Sequence, residues 1–312
     1  MKKVSIVGSG NVGVNSAFYI AESAAANVVL VDVQEGISAG KALDLMEAAP
    51  IRRYRTMIEG SDDIAAIAGS DVVVLAAGLI RAPGRDRSEH FQENAATARA
   101  ISADIARHAP DAAVIVATEP VDAMVQVVVE ATGFDRLRVM GVGGILDSMR
   151  MASFIADALS VSPRDINTLV IGSHTSRMVP LPFYARVNGV EIGQLMDAQT
   201  VGRIVDDTRR AGDVIVDLAK RANAYYAPSA AIATLAEAIC LDLHLVRSVS
   251  VLLKGEYGIE DVALSVPCKL GAGGVQQIIT LDLNEEDRQA FAASAGPVRA
   301  LFATGDERTG TR

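Results

Sequence analysis

Up to about residue 144, short continuous apolar runs alternate with longer stretches of helical spacing. The runs cover residues 4–8, 27–32, 72–78, 113–118 and 138–144, and a weaker one, TMIEG, begins at Thr56. Runs that are apolar at successive positions, rather than at every second one, belong to strands buried on both faces of a parallel sheet. Between them, residues 11–24, 37–49, 94–109 and 121–131 carry apolar side chains at the spacing of one helix face. The pattern predicts two βαβαβ halves, an α/β doubly wound sheet. Pro50, Pro110 and Pro120 fall where a helix or strand is expected to end, because a missing N–H does least harm there.

Beyond Leu146 the texture changes. Residues 147–159 read as a helix stopped near Pro163, followed by a strand at 167–172 and a Pro-rich hairpin at 178–192. Helical patterns around 201–221 and 229–241 come next, then strands between 245 and 279 broken by Gly255, Gly258 and Gly271, and a last helix near 285–302. The expectation is a C-terminal α+β domain, with domains at residues 1–144 and 145–312. The polar tail from 305 reads as disordered.

Composition narrows the function class. Half of the 312 residues are apolar, enough for a large core, and the net charge of −9 argues against binding nucleic acid or an anionic membrane. Tryptophan is absent, so a base-stacking platform is not expected. Only Cys240 and Cys268 occur, outside any C-x-x-C spacing, which points to a reducing, cytoplasmic setting and gives no metal signature. No apolar run approaches the roughly 18–20 residues of a membrane span, and four apolar or small residues after Met1-Lys2-Lys3 are too few for a secretory core.

GSGNVG, residues 8–13, follows a strand and opens a helix. Glycines there let backbone approach a pyrophosphate held at the helix N-terminus, the Rossmann arrangement. Asp32 ends the second strand roughly 20 residues on, where a carboxylate accepts from a ribose 2′-OH and repels a 2′-phosphate. The cofactor expected is therefore NAD.

A second constellation concerns anions and protons. The loop after the run at 72–78 carries Arg81, Arg85 and Arg87 in an otherwise acidic chain, as a receptor for a small anion would. Asp147 and Arg150, three apart, share one helix face, and His174 follows a strand in IGSHTS. A carboxylate beside a neutral imidazole orients it and stabilises the imidazolium formed when a hydroxyl proton is taken up. His90 reads as a solvated histidine of the Arg-rich loop, His108 as a helix C-terminal residue and His244 as one without an evident partner.

These pieces, in order along essentially the whole chain, resemble the lactate/malate dehydrogenase family, most closely its bacterial lactate-dehydrogenase-like malate dehydrogenases. The matching segments are GSGNVG, Asp32, AGLIRAPGRDR, Asn94, LDSMR, the G-x-H at His174, YYAPSAA, and GEYG followed by SVP. The resemblance implies that Arg81 binds the distal carboxylate of malate or oxaloacetate, Arg87 polarises the reacting oxygen, Arg150 grips the C1 carboxylate, and His174 is the proton acceptor partnered by Asp147. It implies a cofactor site of Gly8, Gly10, Asn11, Val12, Gly13, Asp32, Gly78, Asn94, Ala117 and Thr118, and a homodimer or homotetramer; the largely apolar helix at 36–49 is a candidate interface by its own composition.

Departures accompany the match. The family's Asn-Pro is Glu119-Pro120 here, which puts Glu119 in the substrate site, and its His-Gly-Asp is His174-Thr175-Ser176. Three readings follow: a malate dehydrogenase, a dehydrogenase of another 2-hydroxy acid, and an NAD-binding relative of low turnover.

Overall fold

A computed structural model describes residues 1–79, 87–219 and 224–306. The first half alternates as its apolar runs predict: β1 (Lys3–Val7), α1 (Asn11–Ser23), β2 (Asn27–Val31), α2 (Ile37–Arg52), β3 (Ile58–Ser61), β4 (Val72–Leu75), α3 (Arg87–His108), β5 (Ala113–Val116), α4 (Val121–Thr132) and β6 (Val139–Gly141). The six strands are parallel and lie in the order β3-β2-β1-β4-β5-β6. Val4, Ile6, Leu30, Val72 to Leu75 and Val114 to Val116 have essentially no exposure, the burial on both faces that continuous apolar runs require. The order reverses between β1 and β4, and it is outside the carboxyl ends of strands at such a point that ligands bind.

α5 (Gly143–Leu159) then leads through β7 (Ile166–Asn167), β8 (Val170–Ile171) and β9 (Val179–Pro180) to the hairpin of β10 (Arg186–Val187) and β11 (Val190–Glu191). The short α6 (Ile192–Leu195) precedes the long α7 (Ala198–Ala219) and α8 (Tyr226–Cys240), after which come β12 (Leu245–Lys254), β13 (Glu260–Gly271), β14 (Gly274–Ile278) and α9 (Glu285–Asp306).

The sheet does not stop at residue 144. β12 lies antiparallel beside β6 through Ser250 and Gly141, so among the described residues β14-β13-β12 extends the parallel sheet to nine strands. α8 packs on α1, with the Ser229 hydroxyl donating to the Val12 carbonyl at 2.8 Å. One apolar core accordingly runs from Val4 to Val298, and a smaller one gathers Met151, Ile155, Ile166 and Ile204 beneath α5 and α7.

Two local expectations are corrected. α2 runs through Pro50 to Arg52, because a proline this near a helix C-terminus removes only one intrahelical hydrogen bond; the helix closes at Arg53, φ +64°, whose N–H donates to the Ala49 carbonyl. α3 begins at Arg87, seven residues ahead of the expected start at Asn94. Of the tail, Gly305 and Asp306 continue α9, and residues 307–312 lie outside the described residues. Among the described residues no helix is long and apolar enough to cross a membrane.

Candidate active site and dinucleotide cleft

β1 delivers Gly8 to the switch point with φ +108°, its N–H donating to the Val31 carbonyl at 2.8 Å. A side chain on Gly8 would meet the Ala77 amide nitrogen at 2.5 Å, and one on Gly13 would run into the Gly8 carbonyl oxygen. Both positions are glycine because strand end, helix start and the loop after β4 crowd together. Gly10 is the N-cap of α1 and supplies no side-chain cap, while Asn11 beside it is exposed and Val12 half-buried. The first-turn N–H groups are thus left for an anion, which fits a pyrophosphate.

Asp32 sits just past β2, its Oδ2 accepting the Ser9 N–H at 2.8 Å and its Oδ1 the Gln34 N–H at 3.2 Å. Lys41 of α2, which has no motif to announce it, donates to the Ser9 carbonyl from the same side. Gly13→Ala is expected to lower Tm, at about 1–3 kcal/mol of overpacking, and to weaken dinucleotide binding; calorimetry and a fluorescence titration check it.

The other cofactor-lining candidates lie on the loops after β4 and β5 and on α3. A side chain at Gly78 would meet the Thr118 methyl at 2.7 Å, and Ala117 is half-buried. Thr118 Oγ1 donates to the Ala77 carbonyl at 2.6 Å. Asn94 is fully buried: its Oδ1 accepts the Leu79 N–H at 2.8 Å and its Nδ2 donates to the Glu119 carbonyl at 2.7 Å. Asn94 and Thr118 thereby join the ends of two loops.

Two histidine expectations are overturned. His90 is buried on α3, its Nε2 3.4 Å from Asn94 Nδ2, since the earlier helix start carries it inward rather than into solvent. His244 has a partner in Gln276, Nδ1 to Oε1 2.9 Å, and lies beside Asp242. Arg81 and Arg85 lie outside the described residues, as does the side chain of Arg87, whose backbone opens α3.

α5 and the loop after β8 assemble the rest. Asp147 Oδ2 is 2.8 Å from His174 Nδ1, and Asp147 Oδ1 accepts from Arg150 Nη1 at 3.2 Å, so both oxygens of a carboxylate only 1% exposed are engaged. The Arg150 Nε is buried and has no partner among the described residues. Glu119 joins β5 to α4 through a cis peptide to Pro120, and its Oε1 stands 3.6 Å from His174 Nε2. Asp122, in the first turn of α4, was not singled out by its sequence: 3% exposed, it accepts the His174 backbone N–H at 2.6 Å. The turn carrying Thr175 and Ser176 closes on itself, Thr175 Oγ1 lying 2.9 Å from Ser173 Oγ and accepting the Arg177 N–H.

Burial works against an imidazolium at His174, but the Asp147 charge and hydrogen bond, joined by Glu119, outweigh burial and Arg150 and push its pKa up to about 9. Burial pushes the Asp122 carboxyl up to about 6, although the His174 amide and ring favour its anion. An imidazole clamped at Nδ1, with Nε2 turned away from the clamp and a guanidinium beside it, can exchange a proton with an oxygen while an adjacent carboxylate is held.

Comparison with known proteins agrees with this geometry. Residues 2–141 match the lactate/malate dehydrogenase NAD binding domain and residues 145–308 the lactate/malate dehydrogenase alpha/beta C-terminal domain. A malate dehydrogenase of Thermomicrobium roseum is 45% identical over 300 residues, 96% of this chain and 97% of that protein. The solved malate dehydrogenase of Salinibacter ruber is 38% identical with a TM-score of 0.93, covering 98% of each chain. The lactate dehydrogenase of Cryptosporidium parvum, solved with lactic acid and nicotinamide adenine dinucleotide, is 33% identical with a TM-score of 0.93, again over 98% of each chain. Glycine cradle, Asp32 and the Asp147–His174–Arg150 cluster are thus set in matched sequence from end to end, and the chain belongs to the lactate/malate dehydrogenase family.

Proposed function

We propose that this chain is an NAD-dependent malate dehydrogenase, interconverting (S)-malate and NAD with oxaloacetate and NADH. The observation that carries the reading is His174 held at Nδ1 by Asp147, with Arg150 three residues along the same helix. The dehydrogenases named above, two acting on malate, support it. NAD, when bound, supplies the hydride acceptor and donor.

The chain's residues do the remainder. Arg150 holds the C1 carboxylate and Arg81 the distal one; Arg87 polarises the reacting oxygen. His174 Nε2 takes the hydroxyl proton of malate, or returns it to the carbonyl oxygen of oxaloacetate, while Asp147 fixes the ring and stabilises its charged form. Gly8, Gly10, Asn11, Val12 and Gly13 receive the pyrophosphate, Asp32 the adenosine ribose, and Gly78, Ala117 and Thr118 shape the nicotinamide side, with Asn94 bracing the loops behind it. We assign cofactor binding to residues 1–144 and substrate binding to 145–312. A cytoplasmic, tricarboxylic acid cycle enzyme is the setting we infer. Exposed Ile37, Leu43 and Ile51 on α2 support a homo-oligomer assembled through that helix.

A second 2-hydroxy acid remains the alternative, favoured by Glu119 beside His174. Initial rates with oxaloacetate and pyruvate, each with NADH and NADPH, separate the readings. Oxaloacetate with NADH is expected to be fastest, and Arg81→Gln to shift kcat/KM toward pyruvate by at least about tenfold, because a site built for a second carboxylate leaves its arginine unmatched when that carboxylate is missing. A parental preference for pyruvate would refute the malate assignment.

A further inference from the structure

Glu119 stands where the family's amide is expected, and its surroundings fix its carboxylate. Its backbone carbonyl accepts from Asn94, and its Oε2 accepts the Val121 N–H at 3.3 Å, an amide of the first turn of α4, where the helix favours a negative charge. Its Oε1 faces His174 Nε2 at 3.6 Å, opposite the Asp147 oxygen 2.8 Å from Nδ1. The imidazole therefore lies between two carboxylates, one buried and one 52% exposed. The other groups around it among the described residues are Arg150 of α5, which opposes the imidazolium, Asp122 of α4, which holds the His174 backbone N–H, and the uncharged Ser265 of β13, which accepts the Gly144 N–H.

We propose that Glu119 is a second carboxylate partner of His174, a positioning residue that holds the imidazolium at Nε2 until an oxo acid takes its place and so keeps the base protonated through neutral pH. The inference rests on the dehydrogenase reading only for its kinetic consequence. In reduction the carbonyl oxygen displaces the Glu119 carboxylate from Nε2, the Nε2 proton passes to that oxygen as hydride reaches the carbon, and His174 is left neutral on Asp147. Oxidation runs the same steps backward. Reduction should hold its plateau in kcat/KM from neutral pH to about 9 and fall above it, while oxidation should keep rising through the same range, because one needs the imidazolium and the other the neutral ring. The equilibrium of the overall reaction is untouched.

Titration of the ligand-free, 15N-histidine-labelled protein by NMR tests this, His174 being assigned by its absence in His174→Asn. Glu119→Gln is expected to lower the His174 midpoint by roughly 0.5–1 pH unit, the scale of one half-exposed charge at this distance. The pH at which oxaloacetate reduction declines should move with it, while a parental Tm shows an intact fold. An unchanged His174 midpoint overturns the proposal. Should Glu119→Gln not fold, Glu119→Asp carries the test, since retracting the carboxylate by one methylene must also lower the midpoint. A midpoint that moves in a protein reducing no oxo acid would sustain the role of Glu119 and overturn the dehydrogenase reading instead.

Discussion

His174→Ala is expected to lower kcat in both directions by about 10²–10⁴-fold, the usual contribution of a positioned acid–base group, with NADH affinity nearly unchanged. The split follows from where the residue sits. His174 lies on the loop after β8, bonded to Asp147 of α5 and Asp122 of α4, and none of the glycine-cradle or Asp32 contacts involves it. Its loss removes proton transfer and leaves the dinucleotide cleft as it was. Stopped-flow reduction kinetics beside a fluorescence titration of NADH separate the two quantities. A variant that turns over at the parental rate would show that another group moves the proton.

The same residue carries a stability linkage of defined sign. With its pKa raised from 6.5 to about 9 in the folded chain, protonated His174 stabilises the fold fully below about pH 6.5, and that contribution disappears as pH rises through about 9. In His174→Ala, Tm should accordingly fall off less between pH 7 and 10 than in the parent.

The legible parts of this molecule are those whose chemistry is local. Continuous apolar runs foretell parallel strands, and Gly8, Gly13 and Asp32 identify a dinucleotide cleft because glycines and a carboxylate must stand at fixed spacings around one strand–helix turn. Asp147 and Arg150 are found the same way, by helical neighbourhood. What the pattern hides is long-range pairing. Ser250 beside Gly141 joins β12 to β6 and merges two expected domains into one sheet, and nothing in either segment's periodicity names its partner. Asp122 is hidden for the same reason: its hydrogen bond to the His174 amide spans 52 residues. α3 is missed at its start because RSEHFQE is polar but for Phe91, so amphipathic spacing gives no signal until Ala95, and His90 is consequently assigned to solvent when it is buried. Pro50 misleads in the opposite sense, since a local rule about proline yields to a helix already closing.

Arg150→Lys is expected to raise KM for oxaloacetate by about 10²-fold or more and to depress kcat as well, despite preserving the charge. The guanidinium is 11% exposed as a side chain and already donates one N–H to Asp147 Oδ1. Its buried Nε has no partner among the described residues, which leaves an N–H edge for an incoming carboxylate. Lysine presents a single ammonium, which cannot bridge Asp147 and a planar carboxylate with the same geometry. If the ammonium turns to Asp147, the substrate carboxylate is left to solvent; if it turns to substrate, a buried Asp147 oxygen loses its cation. Either failure has the scale of truncating one partner of a buried charge pair, about 2–5 kcal/mol, of which the lysine recovers part. The second failure also reaches His174, because Asp147 relieved of Arg150 attracts the imidazolium more strongly. The decline of reduction at high pH should therefore shift upward in Arg150→Lys, opposite to its shift in Glu119→Gln. Separate kcat and KM profiles against pH, measured with oxaloacetate and NADH, read both effects. Parental KM in this variant would remove Arg150 from the substrate site and leave it as the structural partner of Asp147.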